Sequence, residues 1–365
     1  SAVSVLDEEN GMTEEPVYDE MNLNRGSITV YIGDDGKQYA KQGDNEAQQR
    51  GNLSITTDGS QTHNTITIKG GTTGAKVTLS NVNIETTSDA AVSVSGNVGN
   101  RPGMLGGSNI TINGGDVKAY GGSEAAGIGG GLKGNGKDIT INGGTIHAES
   151  GGGEKVAAIG GGRVNGVGKN IQITGGNVTL KTVDDDDIYI GNGQEEAKID
   201  TSILLGTITK LDKDGKQVDE IVQDYGLEVG SENTTPTRVT SKNYQDILEN
   251  GMLSYDPTTQ TLKSNSPIKR SSLKINAPQK DINLDGKDQI AVAAKLIVEN
   301  AHNVKVSSDK MAAIFARDDT STIDCTGKVD IRSGGDVVVN GNLSINNLGD
   351  VDLYTDSIRF VKEPS

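Results

Sequence analysis

Short runs of alternating apolar and polar residues, broken by glycine, recur along most of the chain, and between Asn109 and Gly176 they form three near-copies of one unit. Asn109-Ile-Thr-Ile-Asn-Gly-Gly115 returns as Asp138-Ile-Thr-Ile-Asn-Gly-Gly144 and as Asn170-Ile-Gln-Ile-Thr-Gly-Gly176, at intervals of 29 residues (109 to 138) and 32 residues (138 to 170). The segments that follow also match. Asp116-Val-Lys-Ala119 corresponds to Thr145-Ile-His-Ala148 and Asn177-Val-Thr-Leu180, and Ala126-Gly-Ile-Gly-Gly-Gly131 to Ala157-Ala-Ile-Gly-Gly-Gly162, with Ile188-Tyr-Ile-Gly-Asn192 as a degenerate third copy. Each unit holds three short alternating segments, too short and too β-branched for helices. A fixed period of this size, one supersecondary unit per repeat, predicts a solenoid.

Period-two geometry puts Ile110 and Ile112, and likewise Ile139 and Ile141, on one face of a strand and Thr111 or Thr140 on the other. Successive coils stacked as parallel strands about 4.8 Å apart then build an inward isoleucine file and an outward threonine file. One buried Val or Ile contributes roughly 1.5 to 3 kcal/mol, and a coil gains this only when its neighbours cover it. We therefore expect an all-β, right-handed parallel β-helix (β-solenoid), the hand following from the rule for parallel crossovers, in two runs of coils with a short linker or cap between them.

Residues 1–25 carry Asp7, Glu8, Glu9, Glu14, Glu15, Asp19 and Glu20 with few apolar partners, which reads as an acidic leader or spacer. Residues 26–230 read as the first β-helix. It opens on a capping hairpin, Ser27–Ile32 returning through Gly33–Gly36 to Gln38–Lys41, because a bare end coil would offer its strand edges to other molecules. It closes on a second hairpin turn at Asp212-Lys-Asp-Gly-Lys216, which has the opening of an EF-hand loop but lacks its glutamate and central spacing. Residues 231–365 read as a linker around Thr234-Thr-Pro-Thr237, a short helix Tyr244–Leu248 capped by Ser241 and ended by Gly251, and a second, narrower solenoid. There three short segments make a coil of about 22 to 26 residues.

Composition adds constraints. Fifty glycines, two Phe and no Trp exclude a large aromatic core, and the formal charge of −16 argues against nucleic acid and anionic membrane surfaces. Acidic glycans are repelled too unless a divalent cation intervenes. No segment reaches the roughly 20 apolar residues of a membrane span, so membrane insertion is not expected. The start at Ser1 without methionine or signal sequence reads as a trimmed mature product. Cys325, the only cysteine, alternates with Ile323 toward the inside and reads as a small hydrophobe.

Ile110-Thr-Ile-Asn-Gly-Gly, the two Ile-Gly-Gly-Gly strings and Met252-Leu-Ser-Tyr-Asp-Pro-Thr-Thr-Gln-Thr-Leu262 resemble a group of secreted or wall-attached parallel β-helix proteins of Gram-positive bacteria, pectin-lyase-like and carbohydrate-binding in type. The resemblance spans residues 26 to about 262. It implies a secreted or cell-surface location and glycan binding, and hands over no catalytic residue.

Candidate chemistry lies outside the coils. An acidic position recurs before the third segment of each unit: Asp89, Glu124, Glu154 and the run Asp184–Asp187, echoed at Asp309. Carboxylates about 5 Å apart in water repel by only about 0.8 kcal/mol, so a solvated edge needs no metal. The sharper reading gives Glu154, Asp185, Asp186 and Asp187 to Ca²⁺, with turn carbonyls completing its six to eight oxygens. Ligand-binding candidates are the outward file Thr67, Thr78, Thr111, Thr140, Gln172, the adjacent file Lys118, His147, Thr179, and Tyr120 and Tyr189 as sugar platforms. Asn113 and Asn142 read as a structural amide ladder, and Arg317-Asp-Asp319 as a turn. The expectation is a non-catalytic surface scaffold or adhesin binding a polysaccharide or host glycan, as a monomer or part of a longer surface protein. The alternatives are a polysaccharide-degrading β-helix enzyme, lyase or hydrolase, and a purely structural spacer.

Overall fold

The structure, a computed structural model, describes residues 19–69, 77–85, 91–95, 108–112, 114, 116–192, 195–248, 251–264, 266–335, 337–347, 349–356 and 359–362. The acidic leader up to Tyr18, Asp89 of the acidic edge and Asn113 of the amide ladder lie outside these residues. Within them the chain is all-β, with one turn of 3-10 helix at Leu23–Arg25 and no α-helix. It divides into two compact units, Ser1–Asp200 with Ile208–Glu220 and Thr201–Thr207 with Ile221–Ser365.

In the first unit each repeat gives one strand to each of three sheets. Ser108–Ile112, Gly136–Ile141 and Gly168–Ile173 form one, and Asp116–Tyr120, Thr145–Glu149 and Gly175–Lys181 lie together in the second. Ile128–Gly129, Ala157–Gly160 and Ile188–Asn192 lie together in the third. All these pairings are parallel and join residues one repeat apart: Ile110 to Ile139 to Ile171, Val117 to Ile146 to Val178, Ile128 to Ile159 to Ile190. Every one of these nine side chains is buried. The expected isoleucine file is therefore present, for the reason given: alternation fixes the face and the period fixes the partner.

The amino-terminal hairpin also forms. Ile28–Ile32 pairs antiparallel with Gln38–Gln42 and parallel with Ile66–Lys69, so it continues the third sheet and turns back on itself at the end. The turn at Asp212–Lys216 is closed by the Asp212 carbonyl accepting from Gly215, and Leu205–Leu211 and Gln217–Ile221 on its two sides are neighbours in the second sheet.

The Gly-Gly-Gly strings follow from stacking distance. A Cβ on Gly160 would sit 2.0 Å from the carbonyl oxygen of Gly191, one on Gly129 2.0 Å from that of Gly160, and both residues have φ near +140° (137° and 140°). Only glycine fits a backbone that must lie this close to its copy in the next repeat. Asp138 and Asn170, at equivalent positions, both take φ 53°, which short polar side chains tolerate, and Asn170 Nδ2 donates to Asp138 Oδ1 at 2.7 Å.

The second unit is built on two sheets rather than three. One contains Asp224–Gly230, Ile268–Asn276, Val292–Ala301, Ile314–Cys325 and Val339–Asn347, the other Thr261–Ser264, Asp281–Asp285, Val304–Ser308, Val329–Ser333 and Val351–Tyr354. Ile268, Val292, Ile314 and Val339 stack at intervals of 24 (268 to 292), 22 (292 to 314) and 25 residues (314 to 339), the coil length expected. The expected three segments per coil are corrected to two strands. Segments read as separate, such as Ala313–Phe315 and Ile323–Cys325, are the two ends of one long strand whose register shifts between Phe315 and Thr320. Such an irregularity lets a strand bend without ending.

The expected helix Tyr244–Leu248 is absent. Residues 241–245 are turns, the Asn243 side chain bonds the Thr240 amide and the Arg238 carbonyl, and Leu248 bridges antiparallel to Leu253. Five residues give too few hydrogen bonds to offset helix nucleation. The expected linker is in part a strand, since Thr237–Thr240 pairs antiparallel with Asp224–Gly230. Tyr255 and Leu262 of the Ser-Tyr-Asp-Pro string face each other in a hairpin that begins the second sheet.

Replacing Gly160 by alanine should lower unfolding stability by about 3 kcal/mol or more, since strain and overpacking add. Gly215→Ala, in a turn with φ 78° and open space around it, should cost only about 1 to 2 kcal/mol. Urea denaturation of the two variants measures the difference.

Candidate functional site

The four residues considered for calcium do not converge. Asp187 turns back onto the chain: its carboxylate accepts from the Ser150 hydroxyl at 2.5 Å and from the amides of Val156 (3.0 Å), Asp184 (3.2 Å) and Val183 (3.3 Å). Asp184 accepts from the Gly153 amide at 2.6 Å. These carboxylates tie adjacent repeats together, with their lone pairs committed to the protein. Glu154 and Asp185 stay in solvent, 75% and 78% exposed, and Asp185 meets Lys213 Nζ at 2.9 Å. Asp186 is exposed as well. Among the described residues no group of three or more His, Cys, Asp or Glu side chains could hold a metal ion. Glu154, Asp185, Asp186 and Asp187 are thus not gathered into one set of ligands among the described residues.

The acidic stack itself is present in part. Glu124 and Glu154 share the same backbone conformation, both at φ 67°, and Arg163 pairs with Glu124 and reaches Glu154 at 3.8 Å. Sequence reasoning passed over Arg163. The signal was available, because Arg163 follows Ile-Gly-Gly-Gly where Leu132 follows it one repeat earlier.

The ligand-binding candidates fall on four different sheets. Thr111, Thr140 and Gln172 are in register on the first. Thr78 pairs with Ser54 in another sheet and Thr67 with Thr29 and Ser93 in the third, so the five-membered hydroxyl file is corrected to a stack of three. Tyr189 lies on the third sheet, with Lys210 Nζ 5.2 Å from its ring centre. Lys118, His147 and Tyr120 share the outward side of the second.

That second face has the densest mixed chemistry. Asn83, Lys118, His147 and Thr179 form one file and Glu85, Tyr120, Glu149 and Lys181 the next, each in parallel register. The rings of Tyr120 and His147 are 5.4 Å apart at 45°. Glu149 sits between an imidazole and an ammonium group: His147 Nε2 lies 3.5 Å from one oxygen and Lys181 Nζ 3.2 Å from the other. These contacts, the imidazole first, outweigh burial and hold the Glu149 carboxyl below its ordinary value. Burial, reinforced by the charges of Glu149 and Glu85, raises the Tyr120 phenol. Glu149 and Lys181 were not singled out from sequence, although they occupy the position of Tyr120 one and two repeats on.

The other marked residues have structural surroundings. His63 Nδ1 is 2.7 Å from the Glu85 carbonyl, His302 Nδ1 is 2.9 Å from Asp281, and Asn142 accepts from Thr174 at 2.7 Å. Arg317, Asp318 and Asp319 are exposed at the irregularity in their strand, with Arg317 at φ 55°. Burial raises the Cys325 thiol to about 11, which leaves it a small hydrophobe at neutral pH.

Asp187→Ala should cost about 2 to 3 kcal/mol, because four donors lose one charged acceptor, whereas Asp186→Ala should be near neutral; thermal and urea melts compare them. A carboxyl held low in the folded state stabilises that state above its ordinary value, and the contribution is lost as pH falls through the folded value. Glu149→Gln should therefore reduce stability at neutral pH and flatten its decline below the ordinary value of 4.5. Urea titrations from about pH 7 to 3 follow that limb.

Compared with known proteins, residues 110–132 and 139–163 each match the family model of a β-helix repeat. No curated protein and no solved structure matches the chain. The matched stretches are two successive units of the three-sheet region, so the similarity falls on the repeat that carries Lys118, Tyr120, His147 and Glu149.

Proposed function

We propose that the chain closes as a right-handed parallel β-helix and acts outside the cell as a non-catalytic surface scaffold that binds a saccharide on the face bearing Lys118, Tyr120, His147, Glu149 and Lys181. One observation carries this reading: two aromatic rings in contact stand beside a carboxylate and two ammonium groups on a flat, in-register surface. Aromatic faces supply apolar area for a sugar ring, and the flanking charged groups offer donors and acceptors to its hydroxyls. Lys118 is exposed on that face and Lys181 is held by Glu149. The likeness to β-helix repeats and the resemblance to wall-attached proteins support the compartment.

The face favours binding over turnover. The Glu149 carboxylate is held ionised by its contacts with His147 and Lys181, which suits an acceptor of hydrogen bonds and not a proton donor at neutral pH. The paired carboxylates of a glycosidase need one member with a raised value, and Glu149 is shifted the other way.

The test is a glycan array probed with the full chain, followed by titration of the best saccharide. Tyr120→Ala and Lys118→Ala should each weaken binding about tenfold or more, a loss of 1.4 kcal/mol, while Thr111→Ala leaves it unchanged. Absence of any array signal points instead to a passive spacer, and release of reducing ends or unsaturated products to an enzyme.

A further inference from the structure

Asparagine is among the thermolabile residues, and it is most exposed to loss of its amide where glycine follows it. The glycine nitrogen has no neighbouring Cβ to shield it as it approaches the asparagine side-chain carbonyl carbon. Hydrogen bonds that hold either group keep the two apart. Four asparagine-glycine pairs fall wholly within the described residues: Asn135-Gly136, Asn142-Gly143, Asn165-Gly166 and Asn340-Gly341.

Three of them are held. Asn135 Oδ1 accepts from the Val167 amide at 2.7 Å while the Gly136 amide donates to the Val167 carbonyl at 2.8 Å, so both reacting groups are tied to the next repeat. Asn142 Oδ1 accepts from the Thr174 hydroxyl at 2.7 Å, and its own amide donates to the Ile112 carbonyl at 2.8 Å. Asn340 is fixed in the strand Val339–Asn347 as the partner of Phe315.

Asn165 differs on each count. It is exposed, and among the described residues neither its side chain nor the Gly166 amide makes a hydrogen bond. Its turn has seven residues (162–168) where the copy one repeat earlier has six (131–136), so the two do not stack residue on residue. Val164 and Asn165 both take left-handed backbone, at φ 62° and 60°, a conformation in which a β-branched residue is strained. Glycine at 166 is obligatory, because a Cβ there would lie 2.4 Å from the carbonyl oxygens of Gly134 and Gly162. Packing thus demands the one residue that leaves its neighbour reactive.

We propose that Asn165 is a site of spontaneous deamidation. The Gly166 nitrogen bonds to Asn165 Cγ, the bond from Cγ to the side-chain nitrogen breaks, and that nitrogen leaves as ammonia with the proton given up by the Gly166 amide. A cyclic succinimide results, and water opens it at either carbonyl to aspartate or isoaspartate. Both products add a negative charge to the turn that carries Arg163. Isoaspartate also adds a carbon to the main chain beside Gly166, where the backbones of Gly134 and Gly162 leave no room for one. The repeat region therefore ages from this turn.

The full chain, held in warm and mildly alkaline buffer, is digested at intervals and read by peptide mass spectrometry, each conversion adding about 1 Da. Asn165 should convert more than about tenfold faster than Asn135, Asn142 and Asn340. The same chain unfolded in urea should lose that preference. Folded protein in which Asn165 stays intact, or converts no faster than the three held asparagines, overturns the proposal. So does a preference that survives unfolding, since it would belong to the local sequence and not to the turn.

Discussion

The repeat region depends on one constraint: every strand finds its hydrogen-bond partner one full repeat away. Ile139 is covered by its copies Ile110 and Ile171 on either side, all three are buried, and a single repeat holds too little apolar surface to offset its own ordering. The same spacing that stacks isoleucines also stacks the glycines that end the third-sheet strands. At Gly129 and Gly160 the backbone comes so close to Gly160 and Gly191 of the next repeat that a single extra carbon has no room. Glycine there is a consequence of the parallel pairing of the strands that carry it, Gly129 on Gly160 and Gly160 on Gly191.

Stacking like on like has an electrostatic cost wherever the repeated residue is charged. Glu124 and Glu154 share a conformation and an edge, and Arg163 lies between them. The Asp184–Asp187 run is handled by a different route: two of its carboxylates, Asp184 and Asp187, accept hydrogen bonds from the preceding repeat and cease to be a free acidic surface. Asp184 and Asp187 are ties between repeats, each bond worth about as much as a charged hydrogen bond, while Asp185 and Asp186 stay exposed.

The isoleucine files were legible from sequence because two periods agreed, the alternation of two along a strand and the recurrence near thirty along the chain. Where only one period was available the reading slipped. Thr67 alternates correctly but belongs to a different sheet from Thr111, since segments outside the clear repeat carry no mark of which sheet they join. In the second unit the coil length was readable from the spacing of apolar segments, whereas the fusion of Ala313–Phe315 and Ile323–Cys325 into one strand was not. A bulge leaves no apolar signature; it is a backbone detour filled by Arg317, Asp318 and Asp319. Tyr244–Leu248 has helical spacing over too few residues for that spacing to decide anything. Asp187 shows the limit for sites: a carboxylate's direction depends on which amides are unpaired nearby, and those are set by turns that sequence does not specify.

The placement of function follows from the same constraint. Inward positions of stacked repeats must resemble one another, because each packs on its own copy: Val117, Ile146 and Val178, or Ala119, Ala148 and Leu180. Outward positions of the same strands are free of that demand, and on the second sheet they diverge, Lys118, His147 and Thr179 in one file and Tyr120, Glu149 and Lys181 in the next. A surface built from one repeated outward residue would present a single chemistry along its length, as the Thr111 and Thr140 stack does. A surface whose outward residues change at each step, on a backbone whose spacing is fixed by its core, can place an aromatic ring, an anion and a cation at set intervals. That capacity lies in the side chains that break the repeat, and it is why the second sheet, and not the more regular first, is where recognition is argued to reside.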